Sequence, residues 1–307
     1  IGASSPADAR EAVRQLVGLG VRSINLNCGC PSRNVQMGSF GAVLMKTPEL
    51  VADIVGEMSG AARATGCRIS VKCRIGIDED ESPEFLRRFL SAVVGQKRHE
   101  GELPVDVVLH ARRAWLNGLS PKQNRTVPAL NHERAYEMVR AYANTSFVVN
   151  GGIDSVGAVA EHLVHAGGVM IGRKVREDPW FLSELDQHIY NVPAAELPEP
   201  THVLSQYTQF ADAMHQRHGS RYSVLARPLF AFFQGRRGRA MRCHLGLALA
   251  KAKCRNGRDV SYSVPFGELV WDAVRSADAE FAARQHISEA SAEPDHLQSE
   301  GRQVTHA

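Results

Sequence analysis

The chain has 307 residues, 44% hydrophobic and 22% charged, enough to bury a sizeable core in one barrel-sized domain with a smaller companion. No apolar run approaches the roughly 18 residues that a membrane helix needs, so a soluble globular protein without a membrane partner is expected. The six cysteines have neither zinc-type Cys-x-x-Cys pairing nor the density of a secreted disulfide scaffold, which argues against a metal site and for a reducing, cytoplasmic setting.

Ile1-Gly2 runs straight into Ser4-Ser5-Pro6, a helix start. The expectation is therefore that the chain opens in the middle of an architecture, with strands and any targeting signal ahead of Ile1; an organellar address stays open. Five short apolar runs follow, each ending in a polar or glycine cluster: residues 23–30, 68–76, 105–112, 146–152 and 168–173. Helical patterns separate them. Thr47-Pro48-Glu49 and Ser82-Pro83-Glu84 place a capping hydroxyl before a first-turn proline, Asp178-Pro179 opens a third helix, and Asn131 and Asp154 are the expected caps of two more.

Repeated βα units with strands buried on both faces imply parallel pairing, hence a barrel or a doubly wound sheet. The barrel is favoured because every run carries chemistry-bearing residues at its C-terminal end: Asn27 and Cys30, Lys72 and Arg74, His110 and Arg112, Asn150, Arg173. The fold expected is an α/β, TIM-type (β/α)8 barrel, N-terminally truncated, occupying residues 1–195, followed by a small all-α domain at 200–258 and a disordered tail at 285–307. A strand hidden in residues 96–104 is the weaker way to add to the five.

Charge is uneven. Between Ala213 and Arg258 stand eleven Lys or Arg and no Asp or Glu, while the whole chain is only +3. Breaks are expected at Gly235 and Gly238. A solvated helix face would interleave signs, so this module has the electrostatic footprint of a nucleic-acid partner.

Gly151-Gly152 and Gly172-Arg173 follow the last two runs, where barrel enzymes often hold a phosphate. Glycines let backbone N–H groups approach an oxyanion; plain turns are the competing reading. Lys72 lies within an apolar strand, where an amine is costly unless it meets an anion such as a reduced flavin; a place at the strand's exposed end is the competing reading. Taken alone, His110 is as readily structural. Cys30, between Gly29 and Pro31, is a thiol that could donate a proton at neutral pH, with Cys28 a competitor that spacing does not eliminate. The remaining cysteines, Cys67, Cys73, Cys243 and Cys254, read as buried small hydrophobes. The long connection from Ala111 to Leu130 carries Arg112, Arg113, Trp115, Lys122, Asn124 and Arg125, a mixture suited to a base and its phosphates.

These stretches resemble the tRNA-dihydrouridine synthase family, closest to its DusA-like branch. The likeness rests on Ile24 through Ser32 with Val35, Gln36 and Gly38, Phe40-Gly41-Ala42, Val71 through Gly76, His110-Ala111-Arg112, Ala114 through Leu116, Gly118 through Lys122, Asn124-Arg125, Asn150 through Ile153, and Val169 through Arg173. The resemblance implies FMN in the barrel, reduced by NADPH, and a helical tRNA-binding domain, in a monomer without metal. It implies hydride delivery to C6 of a D-loop uridine at positions 20 and 20a, with Cys30 protonating C5. Lys72, His110, Asn150, Gly151, Gly152, Gly172 and Arg173 are then flavin contacts, and Asn27, Lys122 and Arg125 uracil contacts. Another FMN barrel acting on a small molecule, or a non-catalytic tRNA-binding fragment, are the alternatives.

Overall fold

The computed structural model describes residues 1–95, 104–256 and 259–290, so all but the last residue of the strand considered in 96–104, and the tail beyond 290, lie outside the described residues. The chain divides into two compact units, Ile1–Lys174 and Val175–Ala307.

The first unit runs α1 (Pro6–Gly18), β1 (Ser23–Cys28), α2 (Arg33–Met37), α3 (Pro48–Ala62), β2 (Arg68–Arg74), α4 (Pro83–Val94), β3 (Asp106–His110), α5 (His132–Ala141), β4 (Phe147–Asn150), α6 (Val156–His165) and β5 (Gly168–Met170), and enters α7 (Arg173–Glu177). The strands form one parallel sheet in the order β1-β2-β3-β4-β5, each pairing with the next in sequence. These are successive βα units of a TIM-type α/β barrel. Beyond the outer edge of β1, the Ile1 amine donates to Asn25 O and Ile1 O accepts from Asn27 N, so the first residue runs alongside that strand.

Alternation along the strands decides what each face does. Ile24, Leu26, Cys28, Ile69, Val71, Cys73, Val107, Leu109, Phe147 and Val149 are buried in one cluster with helix residues such as Val13, Ile54, Met58, Leu86, Phe89 and Met138. Each large side chain sequestered there contributes about 1.5–3 kcal/mol. Asn25, Asn27, Ser70, Lys72, His110 and Asn150 fall on the opposite, half-buried face, where Asn25 Nδ2 donates to Ser70 Oγ.

Helix starts follow the sequence with three corrections. Ser5, Ser82 and Asn131 cap α1, α4 and α5 through their side-chain oxygens. Thr47 precedes α3 but its hydroxyl turns back to Leu44 O instead of capping. Ser155, not Asp154, caps α6, because its oxygen reaches the Ala158 N–H. Trp180 stands at the N-cap of the helix expected from Asp178-Pro179.

The second unit contains α8 (Phe181–His188), α9 (Pro200–His218), α10 (Tyr222–Leu225), α11 (Leu229–Phe232), α12 (Gly235–Ala252), the antiparallel pair β6 (Lys253–Asn256) and β7 (Asp259–Tyr262), and α13 (Phe266–Ala290). It has its own core of Leu204, Ala211, Leu229, Phe232, Leu245, Phe266 and Val270. The compact division falls after residue 174, ahead of the expected 195/200 boundary. Packing explains this: Trp180 sits edge-on to Phe232 and donates its indole N–H to Phe232 O, tying the start of α8 to the helices that follow. Three further expectations change. The module expected to be all-α and to end at 258 also holds the β6–β7 pair and continues into α13, which shares its core. Gly238 lies inside α12, so only Gly235, at φ +62°, marks a break. The first residues of the expected tail, 285–290, are helical.

Candidate active site

The functional side chains converge at the C-terminal ends of the parallel strands, where backbone geometry leaves loops free to vary while the sheet holds their bases fixed. Lys72 reaches across β3 from β2 to β4, its Nζ donating to Asn150 Oδ1 at 2.9 Å. The Asn150 amide in turn donates to Met170 O on β5 at 2.7 Å. One hydrogen-bonded chain thus links three of the five strands. Desolvation, then the nearby Arg74 charge, brings the Lys72 amine down to about 8.

Arg74 is 4% exposed. Its guanidinium donates to Gly29 O at 3.1 Å, Arg113 O at 3.3 Å and Asn124 O at 3.0 Å, so a buried cation ties the turn before Cys30 to the long loop after β3. Burial first, then Arg112, lowers it to about 10, with Cys30 opposing and Arg125 adding to the fall. His110 lies within the same field: burial, then Arg74, Lys72, Arg112 and Arg173, hold its imidazole down near 2. It is neutral at any working pH. Arg112 is also buried, its Nη1 donating to Thr126 O, and its Nε has no partner among the described residues. A buried guanidinium N–H left unmatched is costly, and a cluster of four cations around one imidazole is a place that favours an anion.

The turn carrying the thiol is built by local bonds. Asn27 Oδ1 accepts from the Gly29 and Cys30 N–H groups, both at 3.1 Å. Gln36 Nε2 donates to Pro31 O and Leu116 O, joining this turn to the long loop. Cys30 is half-buried, whereas Cys28 is fully buried on the helix-facing side, where desolvation pushes its thiol well above the ordinary range.

At the end of β4, Gly151 and Gly152 have φ +127° and +72°. A Cβ on Gly151 would stand 2.8 Å from Leu130 Cδ2 and 2.9 Å from His110 Cδ2, so the backbone lies against the His110 ring in a conformation only glycine takes readily. Gly172 has open space around the position of a Cβ.

The structure therefore brings Cys30, Lys72, Arg74, His110, Asn150, Gly151 and Arg173 into one linked set. It does not tie Lys122 into it: Lys122 is exposed at the start of the short turn Gln123–Arg125, and only Arg125 acts electrostatically on Arg74. Asn124, expected to help hold a base, is wholly buried and staples the loop through Trp115 N and O and Leu119 O. Cys243 is exposed rather than buried, while Cys67 and Cys73 are buried. The side chain of Cys254 lies outside the described residues. Sequence reasoning placed Arg74 at the mouth without assigning it a role; an arginine beside a lysine within one apolar strand was the available signal.

The dihydrouridine synthase family model matches residues 1–242. The chain belongs to the dihydrouridine synthase family. Relatives named tRNA-dihydrouridine(20/20a) synthase include one from Shewanella oneidensis, 37% identical over 80% of this chain and 70% of the relative. One from Xanthomonas campestris is 39% identical over 78% and 67%, and one from Vibrio vulnificus is 41% identical over 62% and 56%. The strand-end set and the thiol turn both fall within the family match. Among the described residues, no helix is long and apolar enough to cross a membrane and no cluster of three or more His, Cys, Asp or Glu could hold a metal ion.

Proposed function

We propose that this dihydrouridine synthase reduces uridine in tRNA to dihydrouridine, holding FMN at the strand ends and drawing electrons from NADPH. One observation carries the reading: a cluster of buried and half-buried cations that has no carboxylate partner among the described residues, and in which Arg112 Nε is unmatched among them, lies within one network of the Cys30 turn.

The residues fit FMN. Gly151, Gly152, Gly172 and Arg173 offer backbone N–H groups and a guanidinium to a phosphate. Lys72, held by Asn150, would offer positive charge to the negative charge of a reduced flavin ring. His110, whose cationic form burial and the neighbouring cations disfavour, would serve as a hydrogen-bond partner. Reduced FMN, when bound, supplies the hydride that adds to C6 of the uracil. Cys30 gives its Sγ proton to C5, completing the saturation of the bond, and the thiolate is reprotonated from solvent. Because both lone-pair directions of Asn27 Oδ1 are engaged by the Gly29 and Cys30 N–H groups, its Nδ2 is the atom left to meet the base, donating to a uracil carbonyl. Arg125 and Lys122 approach from the long loop.

A stacked base cannot enter such a mouth, so the target nucleotide must leave its stack, and remote binding energy must drive this. Arg217, Arg221, Arg227, Arg236 and Arg239 in the second unit are exposed and have no ion-pair partner among the described residues, as phosphate-neutralising side chains should be. The names of the relatives carry 20/20a, which supports positions 20 and 20a as the targets, the D-loop uridines that the family resemblance implies.

Titrating the purified chain with FMN and following flavin fluorescence tests the first half of the proposal; saturable quenching is expected. Salt-sensitive tRNA binding without flavin uptake would instead mark a non-catalytic tRNA-binding protein. Comparable turnover of free uracil or orotate would mark an FMN oxidoreductase of small molecules.

A further inference from the structure

Behind the glycine turn lies a cluster of rings that neither the proposed catalysis nor the sequence reading uses. His132, the first residue of α5, bonds Gly151 O through Nε2 at 2.9 Å. Its ring is 4.5 Å from that of His162 on α6, which is 5% exposed. His162 Nδ1 is 2.5 Å from the Tyr136 hydroxyl, and the Tyr136 ring stacks on His165 at 4.2 Å.

The roles of the polar atoms follow from chemistry. A carbonyl only accepts, so His132 Nε2 is a donor. Burial, then the neighbouring His132, lowers His162 below its ordinary value, while burial raises the Tyr136 phenol, so Tyr136 donates to a neutral His162. Every contact in the set is accounted for, and together the rings hold His132 in place.

The consequence lies in the peptide unit itself. In a planar trans peptide the Gly151 carbonyl and the Gly152 N–H point to opposite sides. Fixing the carbonyl on the α5 side directs the Gly152 N–H away from α5. That N–H has no acceptor among the described residues. Two adjacent glycines with positive φ would otherwise sample many orientations, since neither has a Cβ to restrict it.

We propose that His132 is a positioning residue which, through Gly151 O, holds the Gly152 N–H ready for the phosphate of the flavin. This rests on the FMN reading above. Riboflavin, which has the ring but no phosphate, separates the two. Dissociation constants for FMN and riboflavin should be measured by flavin fluorescence for the wild type and for His132→Ala, His132→Gln and Tyr136→Phe, with thermal melts of each.

The wild type should prefer FMN. His132→Ala should lose about tenfold in FMN affinity, the scale of one directed hydrogen bond, with riboflavin affinity unchanged. His132→Gln, whose amide can donate to the same carbonyl, should recover most of the loss, and Tyr136→Phe should show a smaller, FMN-selective fall. An unchanged FMN-to-riboflavin ratio in a folded His132→Ala overturns the proposal, as does equal weakening of both ligands. A wild type that does not distinguish the two flavins overturns the phosphate assignment on which it stands.

Discussion

The two units use positive charge in opposite ways. In the first, Lys72, Arg74 and Arg112 are drawn into the protein and tied to carbonyls or an amide, so their positions are fixed and their charges weakly screened. In the second, the arginines of α12 stand in water; Arg237 pairs with Asp278 and Arg242 bonds the carbonyls of Phe230 and Phe233, but Arg236 and Arg239 do neither among the described residues. Fixed, desolvated charge suits an anion of one shape, whereas solvated charge suits a polyanion read without regard to sequence. On the proposed function, the contrast would separate a site for chemistry from a grip on RNA.

Cys30→Ala breaks the chemical side alone. Dihydrouridine formation should fall by about 10²–10⁴-fold while FMN and tRNA affinity persist; single-turnover assays beside binding isotherms check this, and unimpaired turnover removes Cys30 from the acid role.

Arg74→Leu should strip three carbonyls of their donor and lower folding stability by about 1–3 kcal/mol, together with loss of turnover as the Cys30 turn and the long loop lose their common tie. Urea denaturation measures the first effect. A variant as stable as the wild type would mean that the guanidinium does not organise the mouth.

Arg236→Gln with Arg239→Gln should leave flavin binding untouched and make the log–log salt dependence of tRNA binding shallower by about 1.5. An unchanged slope would place the RNA elsewhere.

Lys72 gives a subtler contrast. Its folded value, about 8, lies below the ordinary 10.5, so the protonated amine is disfavoured by folding. That penalty is full below pH 8 and fades as pH rises toward 10.5. Relative to Lys72→Met, the flavin-free wild type should therefore gain stability across that window, as thermal melts at stepped pH would show. A flat difference contradicts a buried, charged amine.

Much of this was legible in the sequence because strands and caps have local signatures. Ser82 and Asn131 announced their helices, and Lys72 and His110 stood out as polar residues in apolar runs. What was not legible depends on distant partners. Asn124 reads as a base contact until its amide is seen closing the loop onto Trp115. His132, His162 and Tyr136 belong to two helical patterns, and nothing in either period says that they meet behind Gly151. The pairing of β6 with β7 was hidden because the residues ahead of it, up to Lys253, carry a helical period. Trp180 moved the unit boundary because an indole found its partner more than fifty residues later.

The most direct measurement is mass spectrometry of an unmodified tRNA transcript after incubation with the chain, FMN and NADPH, beside free uracil. The account predicts dihydrouridine in the tRNA, at D-loop uridines, with free uracil left unreduced. A flavin-loaded protein that leaves the transcript unchanged would contradict it.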